Sequence, residues 1–218
     1  MNNDKHTASL ATDGRKEMLV LDFDGTLTRA DTLIALFRYA RGSAFTLLTL
    51  ALYAPLLALM KLRLYPNWKA KQRVFARFFK GMEADGFDRL CQSFAQSHAH
   101  LMRPGGIACV RQALCRGARV VVVSASAENW VRCFVQTYLS VGGNAQIEVL
   151  GTRLEMAHGR LTGRFSTPNC YGPEKVRRIQ AVLPCRDEWH VKGYGDSRGD
   201  REMLAWADEA HYKPFRNA

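Results

Sequence analysis

Acidic residues are scarce in this 218-residue chain, which holds 20 Asp and Glu against 31 Lys and Arg, a formal net charge of +11 at pH 7. Between Thr32 and Met82 there is no acidic residue at all. The imbalance favours anionic partners, such as phosphates, nucleic acid or acidic lipid. Since the sequence carries no nucleic-acid-binding motif, we expect no nucleic-acid partner.

Paired cysteines and a targeting segment are also missing. The six cysteines form no CxxC pair and no spacing typical of a metal site, which predicts the reduced thiols of a cytoplasmic protein. Residues 1–16 are polar and lack the apolar run of a signal peptide, so we expect a disordered tail there. No internal repeat occurs, and the chain is long enough for one α/β core and a smaller module.

The apolar run from Met18 to Leu21 predicts a buried strand that ends at two carboxylates, Asp22 and Asp24. Two buried carboxylates repel each other and are costly to desolvate, but a cation between them reverses that cost. Mg²⁺ prefers such oxygen ligands. Gly25 leaves backbone N–H groups free to face an anion. Taken alone, Asp24-Gly25 favours a simple hairpin turn that Asp22 caps.

Two other strands are predicted to end at polar residues. Val120 to Val123 predicts a strand buried on both faces, followed by Ser124, and the strand from Trp189 to Tyr194 runs into Gly195-Asp196. Open parallel sheets bind ligands at these strand ends. Lys175 lies near the start of a helix opened by Pro173. Simpler interpretations are a helix N-cap for Ser124 and a solvated side chain for Lys175.

In their order along the chain, these residues resemble the four motifs of the haloacid dehalogenase (HAD) superfamily, in particular the subfamily that contains phosphoserine phosphatase. The motifs are carried by DFDGTLT from Asp22, by Ser124, by Lys175 and by Asp196 with Asp200. The resemblance implies an α/β fold: a Rossmann-like three-layer core with a parallel sheet and an inserted helical cap of the first type. The core would comprise residues 17–30 and 103–218, and the cap residues 31–102.

The resemblance also implies a chemistry. Asp22 would be the nucleophile that forms an aspartyl-phosphate, and Asp24 the general acid and base of a Mg²⁺-dependent phosphomonoester hydrolase. The Mg²⁺ ligands would be Asp22, the backbone carbonyl of Asp24, and Asp196. The phosphate-binding residues would be Gly25, Thr26, Ser124, Ala125 and Lys175. Asp200 and Ser197 would lie behind these residues and hold them in position.

The predicted cap contains 19 consecutive uncharged residues, 42–60, a length that borders on a transmembrane helix. A single crossing would separate Asp22 from the later motifs, so we expect either an element that dips into one leaflet or a buried helical pair broken near Pro55. Seven basic residues and five aromatic residues follow in the segment 61–80. This pattern favours contact of the 42–80 region with an anionic membrane, and its alternative is a solvated basic face.

The substrate is predicted from departures from the phosphoserine phosphatase pattern. Asp31 stands where those enzymes have a glutamate nine residues after the nucleophile, and Ala125-Ser126 replaces two glycines. The apolar, basic cap resembles the phosphatidylglycerophosphatase C type. We therefore expect a lipid-linked or amphiphilic phosphate, such as phosphatidylglycerophosphate, and a cytoplasmic protein peripheral to the membrane. Phosphoserine or another small metabolite is the first alternative, and a non-catalytic membrane- or RNA-binding relative is the second.

Overall fold

The computed structural model describes residues 14–140, 147–183 and 185–216, and within them the strands form two sheets. The strands are β1 (Lys16–Leu21), β2 (Arg119–Ala127), β3 (Glu148–Thr152), β4 (Leu154–Ala157), β5 (Arg160–Phe165), β6 (Trp189–Gly195) and β7 (Glu209–Tyr212). Five of them pair in parallel in the order β3-β2-β1-β6-β7, and β4 and β5 form an antiparallel hairpin. The predicted parallel sheet is confirmed.

The helices are α1 (Thr32–Leu52), α2 (Ala54–Lys61), α3 (Asn67–Phe79), α4 (Ala84–Ser97), α5 (Pro104–Cys115), α6 (Glu128–Phe134), α7 (Pro173–Val182) and α8 (Arg201–Trp206). Alternate residues of β1 face opposite sides of the sheet, as the two-residue period of a strand requires. Leu19 and Leu21 pack in the apolar cluster that includes α5 and α6, whereas Met18 and Val20 pack with α7 and α8. These three layers match the Rossmann-like core expected from the sequence.

Four helices, α1 to α4, occupy the stretch between β1 and β2 that was predicted to be helical. The uncharged run forms the second half of α1 and most of α2, with a break at Tyr53 next to Pro55 and a kink at Gly42, whose φ is +80°. By length and composition alone, α1 is the one helix of the described residues that could span a membrane. Its first half packs against the core through Leu33, Leu36 and Phe37.

Of the two alternatives predicted for residues 42–60, the buried helical pair is wrong. None of the eight residues of α2, all of which the structure describes, is buried. On α1, Leu47, Leu48 and Leu52 are 71%, 70% and 68% exposed. A helix that is apolar on most of its surface and still exposed lacks the partner that would cover it in water.

In contrast, α3 and the start of α4 are tied to the β4–β5 hairpin. The Gly81 amide donates to the Leu161 carbonyl over 2.8 Å, and the Leu161 amide donates to the Met82 carbonyl over 2.9 Å. At Gly163, where φ is +84°, a Cβ atom would lie 2.6 Å from the Cβ of Ala76, so only glycine permits this approach.

The prediction of a disordered tail over residues 1–16 is wrong for the last residues of that range. Lys16 already belongs to β1, two residues before the predicted strand, and pairs with Trp189 of β6. The Arg15 guanidinium donates to the Trp189 carbonyl and to Asp208, each over 3.1 Å. Residues 1–13, the remainder of the predicted tail, lie outside the described residues.

Candidate active site

Lys175 connects two carboxylates that come from different strand ends. Its ammonium group donates to Asp22 Oδ1 over 2.5 Å, to Asp200 Oδ1 over 2.6 Å and to the Val123 carbonyl over 3.0 Å. Asp22 follows β1, Val123 lies in β2, and Asp200 lies shortly after β6. Since all three strands are parallel neighbours, their carboxyl ends meet at one edge of the sheet. Lys175 itself is placed there by the first turn of α7.

Burial and charge set the protonation of this cluster. Burial raises the pKa of Asp22 to about 7, although the nearby ammonium of Lys175 opposes that rise. Burial alone disfavours the charged form of Lys175, but the carboxylates of Asp22 and Asp200 outweigh it and raise the pKa of this lysine. Burial likewise opposes ionisation of Asp200, yet Lys175 holds the pKa of that carboxyl below its ordinary value. Lys175 therefore stays charged.

Three carboxylates of this edge could hold a metal ion: one oxygen each of Asp22, Asp196 and Asp200 lies within 4.8 Å of the others. Burial, followed by the charge of Asp200, raises the pKa of Asp196. A cation would relieve both effects, and an all-oxygen donor set suits Mg²⁺. A Cβ on Gly25 would collide with the Asp196 carboxylate, so the backbone approaches this oxygen as closely as glycine allows. The residues present therefore fit Mg²⁺.

The carboxylate of Asp24 lies outside this group and is held by hydrogen bonds instead. Its Oδ1 accepts from the amide of Thr32 over 2.7 Å and from the Thr32 hydroxyl over 2.6 Å. Its Oδ2 accepts from the Ser126 hydroxyl over 2.5 Å. Trp130 Nε1 donates to the Thr32 hydroxyl over 3.0 Å in a buried contact. The first turn of α1 and the end of β2 thus fix this side chain from two sides.

The loop after β1 and the end of β2 lie beside these carboxylates. Gly25 has φ +83°, and the buried hydroxyl of Thr26 is one of two buried side-chain polar atoms without a hydrogen-bond partner among the described residues. Ser124 is buried inside β2 and is not a helix N-cap, because Ala127 precedes α6. The Ser124 hydroxyl accepts from the Ser126 amide over 3.0 Å and lies 3.5 Å from Asp24 Oδ2.

A cavity of about 320 Å³ opens at these groups and is lined further by residues of α1, α2 and α3. Six predicted site residues line it: Asp22, Asp24, Ala125, Lys175, Ser197 and Asp200. Its other end is lined by apolar side chains of α1, α2 and α3, namely Leu33, Ile34, Phe37, Leu50, Leu57, Met60 and Val74. The cavity therefore has an ionic end and an apolar end, as a site for an amphiphilic molecule requires.

Some predicted residues contribute without lining the cavity. Asp196, Gly25, Thr26 and Ser124 are the predicted residues that do not line it. Ser197, which does line it, donates its hydroxyl to Asp200 Oδ2 over 2.8 Å and so orients that carboxylate. The sequence analysis missed three groups that the structure brings to the site: Thr32 and Ser126 on Asp24, and Lys71, which lines the cavity. The departure at Ala125-Ser126 was the signal that could have identified Ser126.

Known proteins that are similar to this chain indicate its family and its fold. The family model for haloacid dehalogenase-like hydrolases matches residues 19–205. The curated relative Protein CicA of Caulobacter vibrioides is 34% identical over 206 residues, which cover 93% of this chain and 89% of CicA. A solved protein of unknown function from Bordetella pertussis Tohama I aligns with a TM-score of 0.73 at 17% identity, over 88% of this chain and 86% of that one.

A substrate-bound phosphoserine phosphatase aligns less closely, with a TM-score of 0.59 at 15% identity over 91% of this chain and 86% of that one. At such identities these solved structures share the fold.

Proposed function

Because this chain belongs to the haloacid dehalogenase-like hydrolase family, we propose that it is a Mg²⁺-dependent phosphatase that removes the phosphoryl group from an amphiphilic phosphomonoester. The observation that carries the substrate class is the cavity, which joins the catalytic carboxylates to an apolar end beneath exposed apolar helices. A lipid-linked phosphate, such as phosphatidylglycerophosphate, matches both ends.

The chemistry starts at Asp22. Its carboxylate attacks phosphorus, the bond from phosphorus to the alcohol oxygen breaks, and an aspartyl-phosphate forms. Asp24 acts as the general acid that gives a proton to the leaving alcohol oxygen, and then as the general base that takes one from the water that hydrolyses the intermediate. This cycle restores both side chains and releases inorganic phosphate. Ser126 and Thr32 hold Asp24 in place for both proton transfers.

Charge neutralisation is the main requirement for phosphoryl transfer, because the phosphate dianion repels a carboxylate. Lys175 supplies one positive charge next to Asp22. Asp22, Asp196 and Asp200 would hold Mg²⁺, which neutralises phosphoryl oxygens when bound. The Thr26 hydroxyl, which has no hydrogen-bond partner among the described residues, is available for a remaining oxygen. The Gly25 amide, which the sequence predicted to be free for an anion, instead donates to the Thr28 hydroxyl over 3.2 Å.

The outer surface of α1 and α2 supports a membrane location for this reaction. Leu47, Leu48 and Leu52 are exposed on α1, and Leu59 and Leu62 on α2 and its C-cap. Lys61 and Arg63, exposed beside them, would meet anionic headgroups. We therefore place the protein at the cytoplasmic face of the membrane, with its substrate drawn from the lipid layer.

The decisive experiment measures phosphate release with Mg²⁺ from phosphatidylglycerophosphate, phosphatidate, phosphoserine and a sugar phosphate. We expect turnover of a lipid phosphate, and a loss of at least about 10³-fold in Asp22→Asn because the nucleophile is gone. The control is Asp187→Asn, which changes an exposed carboxylate that does not line the cavity. Turnover of phosphoserine alone would contradict the amphiphilic substrate, and no turnover at all would contradict the phosphatase.

Flotation with anionic vesicles at low salt tests the location independently of turnover. We expect the wild type to float with the vesicles, and the triple variant Leu47→Glu, Leu48→Glu, Leu52→Glu to stay in solution. Met156→Glu, which changes an exposed side chain of the β4–β5 hairpin, is the control. If the wild type does not float with the vesicles, the membrane location is contradicted, and α1 and α2 would form a lid over a soluble substrate.

A further inference from the structure

We propose that Lys71 is a specificity-determining residue that binds a second anionic group of the substrate, a phosphodiester or a carboxylate located close to the phosphomonoester. This inference rests on the proposed function and narrows its substrate class. Lys71 lies on the basic, aromatic-rich helix α3, whose lysines and arginines suggest a solvated or membrane-facing surface. Its ammonium instead points at the catalytic edge and lines the cavity.

Lys71 is a cation with spare hydrogen-bonding capacity. Its Nζ donates to the Ala125 carbonyl over 2.9 Å, and no ion pair joins it to any described residue. An ammonium group has three donors, so two remain. The other lysine of the cavity, Lys175, already uses three donors on Asp22, Asp200 and Val123. Among the described residues that line the cavity, Lys71 is therefore the cation available to a ligand.

The surrounding carboxylates do not satisfy Lys71 directly. Burial lowers the pKa of Lys71, while the charges of Asp24, Asp31 and Asp22 oppose that change. Asp31 is occupied at the start of α1, where its Oδ1 accepts from the Leu33 amide over 2.8 Å. A desolvated ammonium without a contacting anion is costly, and a ligand anion would remove that cost.

The position of Lys71 determines where that anion would lie. Asn67, Lys71 and Val74 follow one another along the face of α3 that lines the cavity, at the four- and three-residue spacing of a helix. The contact with Ala125 places Lys71 at the ionic end, whereas Val74 belongs to the apolar lining. An anionic group on Lys71 would thus lie between the phosphoryl group and the apolar part of the substrate.

This arrangement separates three classes of phosphomonoester. An alkyl phosphate with no other charge leaves Lys71 unused. A lipid headgroup that carries a phosphodiester as well as a phosphomonoester supplies an anion at the right end of the cavity. A small substrate such as phosphoserine supplies a carboxylate, and its amine could meet Asp31, which also lines the cavity.

The test compares matched pairs of substrates that differ in the second anion. Phosphatidylglycerophosphate and phosphatidate form the lipid pair, presented in neutral detergent micelles, and phosphoserine and phosphoethanolamine form the small pair. We expect the wild type to prefer the member with the second anion in the pair that it hydrolyses. In Lys71→Met the ratio of kcat/KM values should fall about tenfold or more, mainly through KM, since a charge-assisted hydrogen bond is lost.

Two further variants keep this result interpretable. Lys71→Arg retains the charge and should retain the preference. Lys80→Met removes an exposed lysine from the end of the same helix and should leave the ratio unchanged. Circular dichroism spectra of the variants, compared with the wild type, show whether each one folds.

An equal loss of activity on both members of a pair in Lys71→Met would overturn the proposal, because Lys71 would then act on the phosphoryl group or only hold α3 against Ala125. An unchanged ratio would overturn it as well. If the wild type hydrolyses only the small pair, the lipid substrate fails while the ratio still decides on Lys71. If nothing is hydrolysed, the proposed function fails. Calorimetric binding of the same four compounds to wild type and Lys71→Met then decides whether Lys71 binds the second anion.

Discussion

The carboxylate of Asp24 is held by hydrogen bonds on both of its oxygens. Two hydroxyl groups and one backbone amide donate to its carboxylate, and the hydroxyl of Thr32 is itself fixed by the buried indole of Trp130. Since three donors fix both oxygens, the carboxylate has one orientation in which to meet a leaving group. A proton donor that must act at one atom benefits from such constraint, because misplacement by 1 Å costs as much as about 10²-fold in rate.

The constraint on Asp24 predicts a dependence on the leaving group in Ser126→Ala. The alkoxide released from an alkyl phosphate is a strong base and needs a proton as it leaves. The 4-nitrophenolate released from 4-nitrophenyl phosphate is a weak base and needs none. We expect kcat for the alkyl substrate to fall about tenfold more than kcat for the nitrophenyl ester, from the loss of one charge-assisted hydrogen bond. Steady-state kinetics on both substrates, with Ser97→Ala as the control, measures the difference. Equal losses on both would contradict this role.

The sequence predicted the residues at strand ends because their position follows from local rules. Asp22, Ser124 and Asp196 each follow a run of strand-forming residues, and parallel strands bring such ends together. Lys71 was not predictable in this way. Lys69, Lys71 and Arg73 alternate along one basic helix, and only the packing of α3 against the core decides which of them turns inward.

At the scale of an element, α2 forms a wall of the cavity and carries apolar side chains on both its inner and its outer side. Leu57 and Met60 line the cavity, whereas Leu59 is 43% exposed on the outside. Apolar residues on both sides of so short a helix leave it without a polar face for water. The wall is therefore thin: one helix separates the apolar end of the cavity from the surrounding solvent or lipid.

This two-sided wall predicts different effects of tryptophan on its two sides. Leu57→Trp should fill the apolar end of the cavity and lower kcat/KM for a long-chain phosphate about tenfold or more, while a short-chain phosphate is affected little. Leu59→Trp, on the outer side, should leave the chain-length profile unchanged. The measurement is kcat/KM against substrate chain length. Identical profiles for both variants would mean that the chain does not enter this cavity.

The break in the uncharged run could be predicted, but the exposure of that run could not. Proline after a helical stretch predicts an end, and the structure has α1 ending at Leu52 and α2 beginning next to Pro55. The apolar composition of residues 42–60 fits a buried helix and a membrane-facing helix equally well. Deciding between them requires knowledge of what packs against each face, which a single sequence does not contain.

For the whole molecule, we predict that stability depends on Mg²⁺, because Asp22, Asp196 and Asp200 could hold this cation only in the folded chain. A ligand that binds only the folded chain at 100 times its Kd stabilises it by about 2.7 kcal/mol. For a protein of this size we expect Tm to rise by about 5–10 °C with saturating Mg²⁺. Asp196→Asn should lose most of this rise, whereas Asp187→Asn should keep it. Differential scanning fluorimetry with and without Mg²⁺ measures it, and a full rise in Asp196→Asn would exclude that residue as a ligand.

The stability of the metal-free protein should also depend on pH. The pKa of Asp22 is about 7 in the folded chain and 3.8 for a free side chain, so between these values the folded state binds a proton that the unfolded state does not. The free energy of unfolding should therefore fall as pH rises from about 4 to 7. Asp22→Asn should remove this part of the decline.

Urea unfolding in the presence of a chelator, at pH 5 and pH 8, measures the effect for wild type and Asp22→Asn. The same decline in both proteins would show that Asp22 ionises as easily in the folded chain as in the unfolded one. In saturating Mg²⁺ the wild-type decline should shrink, because the cation favours the ionised carboxylate.

The contact between α3 and the β4–β5 hairpin limits how this cap could be exchanged between proteins. The amides of Gly81 and Leu161, together with the missing side chain of Gly163, fit the cap to a hairpin that lies more than 60 residues further along the chain. A chimera that transplants residues 31–102 alone would therefore leave the loop at Gly81 and the face of α3 at Ala76 against a foreign surface. For the cap to function in another protein, residues 31–102 and 154–165 would have to be transferred together. The two segments are separate in the sequence but pack as one structural unit.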